Sequence, residues 1–120
     1  MNTLHIACQL IIGLGILNVW FLRSKKSTAY RGGQASTLKD EFDAYGLPPS
    51  MFILVGILKV GAALALLAGI FVPQLVLPAA VVMAVLMAGA ILMHIRAKDA
   101  PHKSLPAATL LVLSLVLILT

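Results

Sequence analysis

The chain has 120 residues, 61% of them hydrophobic and only 11% charged, far from the roughly 45–50% apolar and roughly 25% charged mixture of a soluble domain. A single cysteine, Cys8, excludes an intrachain disulfide, a CxxC redox pair and a cysteine zinc cage. The net charge of +5 sits in the segments between apolar runs, where membrane topology accounts for it, so no nucleic-acid partner is expected.

The first apolar run, Leu4–Leu22, has no basic leader and no small-residue cleavage site before Arg23, so it reads as a retained membrane span rather than a signal peptide. Its polar members, Gln9 and Asn18, are expected to face other helices. The long polar segment that follows opens basic, bends at Gly32 and Gly33, and then turns helical in pattern. Thr37 can cap a helix whose third position, Asp40, places its charge at the free amides of the first turn. Leu38, Phe42 and Tyr45 share one face of it, and Gly46, Pro48 and Pro49 stop it. This predicts a short interfacial amphipathic helix over residues 37–46, lying on the membrane surface.

The second span, 51–72, is about 33 Å long as a helix, enough for a hydrocarbon core of about 30 Å. It carries one lysine, Lys59, whose burial in lipid costs about 2.5–3.5 kcal/mol on insertion scales. Gly61, Ala65 and Gly69 recur every fourth residue and predict a face for close helix packing. The third span, 75–95, places Pro78 in its first turn, where proline is tolerated, and repeats the small-residue pattern at Ala80, Ala84 and Ala88. A basic turn punctuated by Pro101 and Pro106 leads to the fourth, 105–120, which at about 24 Å is short for a crossing and calls for a thin bilayer or tight packing. The reading is an all-α, four-transmembrane-helix bundle, a single membrane domain over residues 1–120.

Of nine Lys and Arg residues, Arg23, Lys25, Lys26, Arg31 and Lys39 lie before the second span and Arg96, Lys98 and Lys103 before the fourth, with Lys59 within a span. The opposite side has none. The positive-inside rule then predicts a multi-pass inner-membrane protein with loops 23–50 and 96–104 cytoplasmic and both termini outside, in the periplasm.

In that orientation Asn18, Lys59 and His94 all fall in the cytoplasmic half. Together with Tyr45 and Arg31 they form the candidate site for a lipophilic or anionic ligand in a cytoplasm-facing pocket. The competing reading makes Lys59 a snorkelling anchor and His94 and Asn18 helix-end caps. His5 and Cys8 are three residues apart on one span, but two ligands do not close a metal site, and neither metal nor haem is expected. Trp20, Tyr30 and Tyr45 read as an aromatic belt at the membrane boundary. Membrane lipids are the expected surroundings, and the small-residue faces suit a membrane-protein partner or a second copy of the chain.

The stretches KSTAYRGGQASTLKDEFDAYGLP, VGILKV and HIRAKDAPHKSLP resemble the DoxX-like family of small bacterial four-helix membrane proteins. The family's turn before the last helix usually reads KDP with a following KKSLP; here Ala100 intervenes and His102 stands for a basic residue. The resemblance implies a four-helix bundle and an accessory role in a redox or membrane-maturation system, because the family takes its name from a membrane subunit of a thiosulfate to quinone oxidoreductase. A quinone is the cofactor class this suggests, with no agreed catalytic residues to carry over. The alternative is a non-catalytic structural subunit or assembly factor packed on a larger membrane partner.

Overall fold

A computed structural model describes residues 3–22, 46–96, 98–99 and 101–120. The interfacial helix expected over 37–46, and with it Arg31 and Tyr45, falls outside the described residues except for Gly46, which takes a left-handed turn at φ 75°. Helix α1 spans Thr3–Leu17 and continues as a π-helical turn, Asn18–Leu22. Helix α2 spans Pro49–Ala68, α3 Val76–Arg96 and α4 Leu105–Leu119, with short 3-10 turns at Pro73–Leu75 and Pro101–Ser104. All four are long and apolar enough to cross a membrane. The 3-10 turn ahead of α4 lengthens the last helical segment to Pro101–Leu119, about 30 Å when the 3-10 rise is included.

The helices pack in a ring, α1 on α2, α2 on α3, α3 on α4, and α1 closing against α4. The core between them is Ile12, Ile16, Ala63, Leu66, Ala80, Met83, Met87 and Leu117, all fully or nearly buried. On α1 the buried positions Cys8, Gln9, Ile12, Gly13 and Ile16 form a stripe at helical spacing. Large apolar residues such as Ile11, Ile57, Val85 and Val112 point outward, as a lipid-facing surface requires. Because lipid is as apolar as leucine, close packing has to supply much of the helix association. At Gly13 it does: a Cβ there would lie 2.6 Å from Leu67 Cγ and 3.2 Å from the Ala63 carbonyl oxygen.

The two small-residue stripes turn out only partly to be packing faces. Gly69 is buried, Ala65 half-buried, and Gly61 is exposed with open space around it; Ala80 and Ala84 are buried, while Ala88 is exposed. Four residues advance an α-helix by about 400°, so a four-residue repeat drifts about 40° per step and walks off a straight contact. The face of α2 that meets its neighbours is instead Ala62, Ala63 and Leu66.

The first turn of α1 and the residue after α4 meet at one end of the bundle. His5 Nε2 lies 2.6 Å from Thr120 Oγ1, and Gln9 one turn further along α1 reaches the C-terminal turn of α2. The start of α1, Thr120 and the Pro73 turn therefore share a side.

Candidate functional site

At the other end of α1, the helix widens into the π-helical turn Asn18–Leu22. Such turns are rare and recur at functional sites. Here the turn carries Trp20 against α2 at Gly56. A Cβ on Gly56 would fall 2.6 Å from the Trp20 ring, so glycine is what lets the indole lie on the α2 backbone. Phe52, one turn earlier on α2, packs its ring 5.1 Å from that of Trp20, tilted by 33°. Lys59, three residues after Gly56 and so on the same face, holds its Nζ 5.9 Å from the Trp20 centroid. That is a cation–π distance, a contact worth about 0.5–2 kcal/mol depending on desolvation.

Beside these residues lies a groove of about 500 Å³, open to the outside of the bundle. Trp20, Phe52, Gly56, Val60, Gly61 and Leu64 line it. Its walls are carbon almost throughout, and the Lys59 ammonium sits at the indole that forms one wall. Lys59 contacts the Trp20 ring but is not among the residues that line the groove.

Asn18 is half-buried and opens the π-helical turn, and Lys59 is half-buried on α2. His94 belongs to a different constellation. It is buried near the end of α3, and its Nδ1 donates to Asp99 Oδ2 at 2.9 Å, the two side chains being 7% and 4% exposed. The backbone closes around this pair: Asp99 N–H donates to the His94 carbonyl at 3.0 Å and Lys98 N–H to that of Ile95 at 3.0 Å. Lys98 takes φ 57°. This is the left-handed helix cap in which glycine is usual, and in which an apolar contact usually joins the positions that His94 and Asp99 fill. Hence the connection carries a non-glycine residue in the left-handed region and a buried polar pair.

Trp20, which the sequence assigns to an aromatic belt, also packs on Gly56 and Phe52. The signal in the sequence is the Gly56 to Lys59 spacing, which sets an open patch of backbone beside a cation on one helix face.

A family model described as the DoxX-like family matches residues 27–117. The chain belongs to the DoxX-like family. The DoxX-like match includes Gly56, Lys59, His94 and Asp99, whereas Asn18 and Trp20 precede it. The groove is thus built from a DoxX-like helix on one wall and the preceding span on the other. Neither a curated protein nor a solved structure matches the chain.

Proposed function

We propose that this DoxX-like protein is an accessory component of a redox membrane system, set in the inner membrane with its termini outside, that holds a lipophilic ligand in the groove beside Lys59. A quinone or an anionic amphiphile is the ligand class. One observation carries the reading: an apolar groove of about 500 Å³ whose aromatic wall, Trp20, also bears the Lys59 ammonium. Ligand sites are mostly apolar with a few placed polar groups that orient the occupant, and an ionisable residue within a span marks such a site more often than not. The positive-inside rule applied to the charges along the chain supports a cytoplasm-facing position for the Lys59 end of α2.

The test is extraction of the full-length protein in mild detergent, followed by mass spectrometry of the organic extract. A quinone or acidic lipid at close to one per chain, lost when Gly61→Leu fills the groove, is the expected result. An empty groove together with a stable stoichiometric protein partner would favour the structural-subunit reading instead.

A further inference from the structure

We infer that the turn closing α3 is a docking site for one acidic phospholipid, its phosphate held by Arg96 and Lys98 and its acyl chains laid on Leu92 and Ile95. This site is separate from the groove and stands without it. Arg96 ends the apolar segment Pro73–Arg96, about 36 Å of helix against a hydrocarbon core of about 30 Å. Its side chain therefore falls at headgroup level. Leu92 and Ile95, both exposed on the last turn of α3, lie just below, where acyl chains begin.

Between Arg96 and Ser104 the sequence sets three cations, Arg96, Lys98 and Lys103, against one acid, Asp99. The fold sorts them. Asp99 turns in to His94 with its side chain only 4% exposed, while Arg96 and Lys98 are exposed. The outer face of this connection thus shows cations with no acid of its own beside them. Lys98 stands at φ 57°, the left-handed position where glycine is the easier residue. A backbone outlier kept at a cost to stability points to use, and what lysine adds there over glycine is an exposed cation. Charges at this end also complement the α3 macrodipole, a role that either cation fills without a lipid. The two together, an arginine fork and an ammonium, suit a phosphate diester. Phosphatidylcholine has that diester too, but its head brings a cation of its own, so the pair favours a lipid of net negative charge.

Native mass spectrometry of the delipidated full-length protein tests this, with dioleoyl phosphatidylglycerol and dioleoyl phosphatidylcholine added in equal amounts. Each cation beside an acidic lipid is worth roughly fivefold in affinity, so phosphatidylglycerol should be favoured about 30-fold, falling to about fivefold in Arg96→Gln or Lys98→Gly and to parity in the double variant. Helical circular dichroism should be unchanged in all three, since glycine suits the backbone at Lys98 and glutamine keeps much of the length of Arg96. The preference should survive Gly61→Leu, which fills the groove, and Lys59→Met, which removes one charge from within a span. An excess of inorganic phosphate, which has no chains to lay on Leu92 and Ile95, should leave the adduct in place. A preference that the double variant retains, that Lys59→Met weakens as much as Arg96→Gln does, or that inorganic phosphate abolishes overturns the inference. Loss of the preference in Gly61→Leu also overturns it and assigns the acidic lipid to the groove, whereas an empty groove leaves it standing.

Discussion

Gln9 of α1 caps a helix that is not its own: its Nε2 donates to the carbonyl oxygen of Leu66 in α2 at 2.7 Å. The Ile70 N–H, which would reach Leu66 in a continuing helix, bonds Leu67 at 3.2 Å instead, so the side chain takes over where the backbone ladder tightens. Helix ends in hydrocarbon have no water to satisfy them, and a neighbouring helix is one of few sources of a donor. Gln9 is fully buried, and its Oε1 has no partner among the described residues.

Two effects therefore oppose each other in Gln9→Met. Losing the donor leaves the Leu66 carbonyl uncapped, and losing Oε1 removes an unsatisfied acceptor, each worth about 1–3 kcal/mol in a buried setting. The global melting temperature in detergent is expected to move little. Hydrogen exchange is the sharper readout: amides 69–72, at the end of α2, should exchange faster in Gln9→Met. Unchanged exchange there would show that the inter-helix cap contributes nothing.

Gly13 and Gly15 provide an internal control on backbone approach. A Cβ at Gly13 meets Leu67 at 2.6 Å, while one at Gly15 meets nothing within 4 Å. Gly13→Ala is expected to destabilise the bundle by about 1–3 kcal/mol through overpacking. Gly15→Ala should be neutral or stabilising by up to about 1 kcal/mol from helix propensity. Thermal unfolding of both in one detergent compares them, and equal midpoints would mean that α1 and α2 do not touch at Gly13.

The four spans were legible because each is a long apolar run, and Lys59 stood out as the one Lys or Arg inside a span. The partner of Gln9 was not legible: a helix pattern shows which face is buried but not the axial register against another helix. The sequence NVWFL has no signature that separates a π-helical turn from an α-helical one, so the aim of Trp20 was hidden as well. The small-residue stripes misled in part because a four-residue repeat is not the helix period. Lys98 was opaque for another reason, since the left-handed position that closes α3 ordinarily announces itself with glycine.

That position gives a further expectation. Lys98 at φ 57° carries a conformational cost of about 1–2 kcal/mol that glycine avoids, partly offset by glycine's greater freedom in the unfolded chain. Lys98→Gly should stabilise by up to about 1 kcal/mol. Asp99→Ala should destabilise by about 1–3 kcal/mol, because it takes the acceptor from the buried His94 Nδ1. Thermal unfolding of the two variants should move in opposite directions. A common direction would show that the cap geometry and the side-chain pair do not act as described.

Orientation can be read with single cysteines after Cys8→Ala. Gln74 and His102 are both exposed in connections between spans, at opposite ends of α3. An impermeant thiol reagent on intact cells is expected to label Gln74→Cys, and to label His102→Cys only after permeabilisation. The reverse pattern would move the Lys59 end of the groove to the outer side. Because His5 and Thr120 meet, the same experiment places both termini.

Gly56 tests whether the groove's aromatic wall is built or incidental. In Gly56→Ala the added methyl would stand 2.6 Å from the Trp20 ring, so the indole has to lift from α2 or the helices have to part, at about 1–3 kcal/mol. The chain has a single tryptophan, so its emission on red-edge excitation reports Trp20 alone, while the near-ultraviolet circular dichroism reports it together with the tyrosines and phenylalanines. Both are expected to change in Gly56→Ala. Neither should change in Gly61→Ala, because that site lines the same groove with nothing within 4 Å. Trp20→Phe in the Gly56→Ala background should recover part of the lost stability, since the smaller ring leaves room for the methyl. An unaltered tryptophan signal in Gly56→Ala would mean that the indole is not seated on this glycine, and the contact that brings Lys59, Trp20 and the groove together would fall with it.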